Sequence, residues 1–277
     1  MSVINTNIAS LNAQRNLSAA QNSLSTSMQR LSSGLRINSA KDDAAGLSIA
    51  TKMDSQIRGM SQAIRNANDG ISMAQTADGG LSTATDAMQR MRELAVQAAN
   101  GTNTTTDSAA LDKEYQALAT EVGRISTDTK FNGTALLSSA VSTDIQVGAD
   151  NGQKITITTA DLSTIGTNLA AQKLSDPASV IASVTAANAA LDVLDTSLTT
   201  VNAARADLGA IQNRMGYAVS NLQISVENQT AAKSRIMDTD FAAETANLSR
   251  SQVLQQAGTA MVAQANQLPQ GVLALLR

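Results

Sequence analysis

The residues able to do chemistry in this chain of 277 are few, and their types narrow what that chemistry can be. There is no His and no Cys, so the usual general base near neutral pH and the thiolate nucleophile are both missing. The ligands that zinc, copper, haem and iron–sulfur centres require are missing with them. Any metal would have to be a hard cation held by carboxylates. Two acidic runs come nearest to that. Lys41-Asp42-Asp43 reads as a cap at the positive end of a long helix. Asp238-Thr239-Asp240 resembles part of a calcium loop, but the glycine and glutamate such a loop needs do not follow, and it reads as a cap between two helices. Asn103-Thr104-Thr105 and Asn132-Gly133-Thr134 fit the glycosylation triplet, which a chain rich in Ser and Thr contains by chance. The expectation is a protein that is not an enzyme, with no catalytic residues, no cofactor and no metal.

The bulk properties point the same way. Lys and Arg number 20 against 23 Asp and Glu, a net charge of −3, and aromatic residues make up 1% of the chain. That leaves neither the positive excess that phosphates attract nor a stacking platform for bases, so nucleic acid is not a partner. No stretch approaches the roughly 20 apolar residues of a membrane span. Met1 to Ser10 (MSVINTNIAS) has no basic or apolar leader region, which argues against a secretory signal peptide. The 43% of apolar residues, ten of them Met, are mostly small or flexible side chains that suit helix seams better than a globular core.

The elements that would carry these residues are long helices. Leu191, Leu194, Leu198, Val201, Arg205, Leu208, Gln212, Met215, Val219, Leu222 and Val226 alternate in steps of three and four, the spacing of a coiled-coil seam. Asp176-Pro177 would start that helix as N-cap and first-turn proline. Arg205 and Gln212 read as register-setting or partner-paired polar positions. A second seam runs Ile57, Met60, Ile64, Ala67, Ile71, Ala74, Asp78, Leu81, Thr85, Met88, Arg92, Ala95, predicting a helix over about 43–99. Gly59, Gly70 and Gly79-Gly80 interrupt it, each costing about 1 kcal/mol of propensity, which packing must offset or the helix must bend. A shorter helix follows from Thr106 or Asp107 to about Thr127, with Leu111, Tyr115, Leu118, Val122 and Ile125 on one face. Ile145, Val147, Ile155 and Ile157 then alternate around Asp150-Asn151-Gly152, the pattern of a tight hairpin.

The two ends are helical in pattern but weak alone. Leu17, Leu24, Met28, Leu31 and Leu35 mark one seam, and Leu254, Gly258, Met261, Ala265, Leu268, Val272 and Leu275 the other. Five Leu or Met groups do not offset the entropy of ordering a helix of such length. Each end therefore wants a partner, and the first candidate is the other end. Pro269 predicts an end or a bend of the last helix. The fold class is mainly α: long antiparallel coiled-coil helical rods with a small β-hairpin region and paired termini.

Seven segments resemble bacterial flagellin in the family's order: Met1 to Ala9, Leu31 to Asn38, Lys41 to Ile49, Gln89 to Asn103, Leu208 to Met215, Ser234 to Glu244, and Gln252 to Arg277. The resemblance implies a structural subunit of the flagellar filament, self-assembling into a helical tubular polymer for swimming motility. It implies a terminal coiled-coil domain forming the filament core from 1–42 and 239–277. The rod domain would be 43–238, with its hairpin region at about 130–176 and no outer domain. The family's partners would be the chain itself, the export apparatus and its chaperone, and the cap and hook-junction proteins, in a secreted, extracellular filament. Leu17, Leu24, Met28, Leu31, Leu35, Leu254, Met261, Leu268, Val272 and Leu275 would carry core assembly.

Toll-like receptor 5 recognises flagellins of this type, and the family's contact residues fall on Arg90, Leu94 and Glu114. On a helical wheel centred on Met88, Arg90, Leu94 and Gln97 lie opposite the seam, so Gln89, Arg90, Leu94, Gln97 and Glu114 are expected on an open receptor or subunit contact. The competing expectation is that this face packs against the short helix after Asp107. Other functions weighed are a hook–filament junction protein or another secreted coiled-coil adaptor. A metallopeptidase insert, which some flagellins carry on a His-Glu-x-x-His helix, cannot occur in a chain without His.

Overall fold

The computed structural model describes residues 6–176 and 178–274, with side chains described as far as residue 267. Its described elements are α1 (Ile8–Ser33), α2 (Ala44–Ala98), α3 (Thr105–Asp128), β1 (Lys130–Phe131), β2 (Thr134–Ala135), β3 (Ser142–Gln146), β4 (Lys154–Thr158), α4 (Leu162–Ala171), α5 (Val180–Met237) and α6 (Phe241–Ala274). The fold is thus mainly α with two small antiparallel hairpins. It divides into two compact units: one runs to Gln56 and resumes at Glu227, and the other is Ile57–Val226. Helices α2 and α5 each contribute residues to both.

Within the unit Ile57–Val226, α2 and α5 pair antiparallel. Their contacts run in opposite directions along the two helices: Met60 clusters with Leu222, Gly70 faces Met215, Asp78 bonds Arg205 and Arg92 bonds Asp195. The expected heptad on α5 is present, with Leu194, Val201, Leu208 and Met215 fully buried. Arg205, a polar member of that seam, gives its Nε–H to Asp78 at 2.8 Å, the partner-paired arrangement its position implied. Helix α2 is buried on more than one side. Besides the expected stripe it buries Ala63, Gly70, Ala77, Ala84, Met91 and Ala98, a second row seven residues apart whose first members also face α5, Ala63 clustering with Leu222 and Gly70 facing Met215.

The glycines of α2 are where other elements come close. A Cβ on Gly59 would lie 3.0 Å from the Ala149 Cβ, and one on Gly70 would lie 2.9 Å from both the Sδ and Cε of Met215 and 3.2 Å from Ile145 Cγ1. One on Gly80 would strike Thr129 Oγ1 at 2.6 Å. The hairpin β3–β4 therefore lies along α2 over Gly59 and Gly70, and Asn66 Nδ2 donates to the Gln146 carbonyl between them at 3.2 Å. In that hairpin Ile145 pairs with Ile155 and Thr143 with Ile157; Gly152 turns with φ 87°, and Val147 lies just past β3.

Several boundaries differ from the sequence expectation. Helix α3 starts earlier, because Thr104 accepts from the Asp107 amide while Asp107 accepts from the Thr104 amide, a reciprocal capping box. Helix α5 starts at Val180, with Ser179 Oγ accepting from the Ala182 amide at 3.1 Å. Asp176 caps only the preceding turn, through the Ala178 amide, and Pro177 lies outside the described residues. Of the Asp42–Asp43 pair only Asp43 caps α2, accepting from the Gly46 amide. Asp42 instead accepts from the amides of Asn38 and Ser39, which hold its carboxyl below the usual range. Helix α4 and the hairpin β1–β2 were not anticipated. The latter turns on Asn132 (φ 48°) and Gly133 (φ 82°), the Asn-Gly pair of a two-residue hairpin loop.

In the other unit, α1 and α6 lie antiparallel: Leu17 meets Gly258, and Arg30 approaches Glu244 at 3.9 Å. Helix α1 ends at Gly34, whose φ of 71° lets its N–H reach the Arg30 carbonyl. Leu35 bridges to Asp238, and Asp240 caps α6 through the Ala242 amide at 2.9 Å. Of the end or bend expected at Pro269, the end does not occur: α6 continues through it to Ala274. A helix can absorb one missing backbone bond when neighbouring groups satisfy the carbonyl left free.

Candidate functional site

Two regions contain the residues that sequence reasoning singled out. The first is the α1–α6 pair. Its seam is made of small or short side chains: Ser10, Ala20 and Ser27 are buried on α1, and Ser251 and Ala265 on α6, joined by the Glu244 carboxylate. Leu17, Leu24, Leu31 and Leu35 are half-buried beside them. A Cβ on Gly258 would sit 3.2 Å from Leu17 Cδ1, so the helices approach closely there.

Met28, Leu254 and Met261 are off this seam, each more than half exposed, which corrects their expected place between the two helices. Ser27, Ser251 and Val262 take the inward positions. Ile8, Leu11, Phe241 and Val253 are exposed to a similar degree. An open groove runs along the pair, lined among others by Asn16, Ala20, Ser27, Arg30, Ser251 and Leu254. The side chains of Leu268 and Val272, and all of Leu275, lie outside the described residues. The helix pair thus hides small residues together with Leu17, Leu24 and Leu31, and displays Met28, Leu254 and Met261.

The second region lies on α2 and α3. Gln89, Arg90, Gln97 and Glu114 are exposed. The Arg90 guanidinium donates from Nε and Nη2 to Glu114 Oε1 at 3.1 and 2.9 Å, and from Nη1 to Glu93 at 2.9 Å. These carboxylates strengthen its hold on the proton. Gln97 accepts, through its carbonyl, the Asn103 side chain. The structure therefore brings Arg90 and Glu114 together across 24 positions of sequence. Leu94 follows the competing expectation, packing with the short helix rather than lying open: at 1% exposure it belongs to the core that contains Tyr115 and Val122 of α3. The face opposite the α5 seam is therefore divided, with Leu94 inside and Arg90 and Gln97 exposed beside it, and it offers no exposed leucine.

Elsewhere Asp42, Asp107 and Asp161 are bound by backbone and hydroxyl groups, and Asp54, Asp78, Asp144 and Asp195 by Lys or Arg side chains. No cluster of three or more candidate ligands occurs among the described residues. The Tyr115 hydroxyl is buried and unpartnered, and burial pushes its ionisation well above the usual phenol range. Such a group does not donate or take a proton near neutral pH. No helix among the described residues is long and apolar enough to cross a membrane.

The sequence of residues 4–142 matches the bacterial flagellin N-terminal helical region, and residues 191–276 match the bacterial flagellin C-terminal helical region. A flagellin of Halalkalibacterium halodurans is 48% identical over 99% of this chain and 100% of its own length. The chain belongs to the bacterial flagellin family. It is accordingly a structural subunit of the flagellar filament. A flagellin of Xenorhabdus nematophila is 44% identical over 100% of this chain and 99% of its own. The crystal structure of Bacillus cereus flagellin, at 32% identity and a TM-score of 0.51, covers 57% of this chain and 88% of that one. A flagellar hook-associated protein from Vibrio parahaemolyticus shares the fold, with a TM-score of 0.59 at 12% identity over 71% of this chain and 100% of that one.

Proposed function

We propose that the chain polymerises by burying the apolar side chains exposed on its α1–α6 pair against further copies of itself. The observation that carries this reading is the division of labour in that pair. Ser, Ala and Gly alternate with half-buried Leu17, Leu24 and Leu31 in the seam between the helices, while Ile8, Leu11, Met28, Phe241, Val253, Leu254 and Met261 face outward, each more than half exposed. Apolar residues gathered in this way on two adjacent helices mark an interaction surface. On this reading residues 1–42 with 239–277 form the filament core and 43–238 the rod. The chain is secreted through the flagellar export apparatus with a chaperone and is added beneath the cap. Seeded assembly followed by electron microscopy tests the reading: intact chains extend flagellar seeds, and chains lacking residues 258–277 stay soluble. Filaments grown from the truncated chain would refute it. Failure of the intact chain to extend seeds would favour the hook–filament junction.

A second, separate proposal is that Gln89, Arg90, Gln97 and Glu114 contact Toll-like receptor 5. The exposed fork of Arg90 held between Glu93 and Glu114 supports it, since guanidinium groups pre-set by carboxylates are favoured interface anchors. Leu94 is not part of this contact, being buried in the monomer. Binding of the soluble chain to the receptor ectodomain, with and without Arg90→Ala, checks it.

A further inference from the structure

Proline at 269 leaves the carbonyl of Ala265 without the N–H that an α-helix would supply four residues on. Ala265 is also buried against α1, at 8% exposure, where an unmet carbonyl is costly. The group that meets it comes from the other end of the chain: Asn7 Nδ2 donates to the Ala265 oxygen at 2.7 Å. The same side chain caps α1, its Oδ1 accepting from the Ser10 amide at 3.0 Å. Ser10 Oγ adds a bond to Asn266 Oδ1 at 2.7 Å. We infer that Asn7 is a positioning residue that replaces the proline's missing donor and so sets the register of α1 on α6.

The chemistry is selective. Asn, Asp and Ser are comparably good N-caps, because a cap needs only an acceptor oxygen. The Ala265 carbonyl needs a donor at the same moment, and the amide supplies the two from separate atoms, Oδ1 toward the Ser10 amide and Nδ2 toward Ala265, where the single Oγ of Ser, on a shorter side chain, would have to serve both. Asp would present oxygen to oxygen, and Ser would leave the carbonyl unmet. A proline in α6 thus becomes an address: only a chain end carrying an amide at the cap satisfies it. The inference builds on the assembly reading, because it fixes the geometry of the helix pair whose outer face that reading uses.

The test compares wild type, Asn7→Ser and Asn7→Asp, each with Pro269 and with Pro269→Ala, in the full-length chain. Backbone hydrogen exchange of residues 262–268 and 8–14 is followed in the soluble protein and in seeded filaments, alongside the critical concentration for growth. With Pro269, protection falls in the order Asn, Ser, Asp, the Ser variant exchanging about fivefold faster for one lost net hydrogen bond. With Pro269→Ala the Asn–Ser gap closes, because the helix supplies its own donor. Equal protection by all three residues, an advantage for Asp, or a gap independent of residue 269 would reduce Asn7 to an ordinary cap and overturn the inference. Wild type that protects both segments yet extends no seeds would defeat the assembly reading and leave the lock standing. No protection of either segment in either state would overturn the lock.

Discussion

Removing the Met215 side chain should be partly repaired by adding a methyl group to Gly70, though the two lie 145 residues apart on different helices. Met215 is fully buried, and its Sδ and Cε would each lie 2.9 Å from a Cβ on Gly70. Met215→Ala removes those atoms and should cost about 2–5 kcal/mol. Gly70→Ala in the intact protein gains about 1 kcal/mol of helix propensity but forces the methionine end aside, at a cost of about 1–3 kcal/mol. With the methionine gone the propensity gain remains and the new methyl occupies part of the gap. The double variant should therefore melt about 2–4 °C above Met215→Ala alone, while Gly70→Ala in the wild-type background matches or falls below wild type. Far-UV circular dichroism melts of the four proteins give the coupling. If Gly70→Ala raised the melting temperature equally in both backgrounds, the close approach of α2 and α5 at this point would not be what glycine serves.

Thr104→Ala removes one half of the capping box on α3 and should cost about 1 kcal/mol, read as a lower melting midpoint; an unchanged midpoint would mean that the box holds nothing. The carboxyls of Asp107, Asp161 and Asp195 are held below their usual range, chiefly by bonds from Thr104, Thr164 and Arg92 respectively. The unfolded chain then takes up protons first as pH falls, so these groups favour the folded state above about pH 4 and cease to do so as pH drops through their lower native values. Melting temperatures measured across pH should hold steady down to about pH 5 and fall below about pH 4, and a rise on acidification would contradict this. Arg90→Ala breaks an exposed pair, both of whose side chains are about half accessible. It should leave the melting temperature within about 2 °C while weakening receptor binding; loss of folding with it would contradict the exposed placement.

The long helices were legible because heptad spacing survives in side chains as plain as Leu and Val, and Leu194 to Leu222 lie where that spacing implied. What misled was the assumption of one seam per helix. Helix α2 has neighbours on two sides, and its second buried row is written in Ala63, Ala77, Ala84 and Ala98. Alanine carries too little hydrophobic contrast to stand out from exposed helix positions. Leu94 is buried for this reason: a wheel centred on Met88 has only one inside, whereas α3 packs over part of the opposite face. The terminal pair misled in the opposite sense. Of the large apolar residues expected in the seam, Leu17, Leu24, Leu31 and Leu35 are half-buried, but Met28, Leu254 and Met261 are outside and Ser10, Ser27 and Ser251 are buried. A helix pair that must also face further copies of itself has reason to place large side chains outside, and the available signal was small residues at steps of seven, Ala20 and Ser27 on α1 and Ser251, Gly258 and Ala265 on α6. The caps were legible in part: Asp43 and Asp240 each serve an amide close by in sequence, whereas α3 is capped by Thr104 and α5 starts on Ser179 rather than Asp176.

The most direct test of the account is whether the outward apolar residues of α1 and α6 drive polymerisation without contributing to the fold of the subunit. Leu254→Ser and Met261→Ser should each leave the melting temperature of the soluble chain unchanged, because both side chains are more than half exposed. Together they should abolish seeded filament growth at concentrations where the wild type extends seeds. Filaments growing at the wild-type critical concentration from the doubly substituted chain would contradict the central claim.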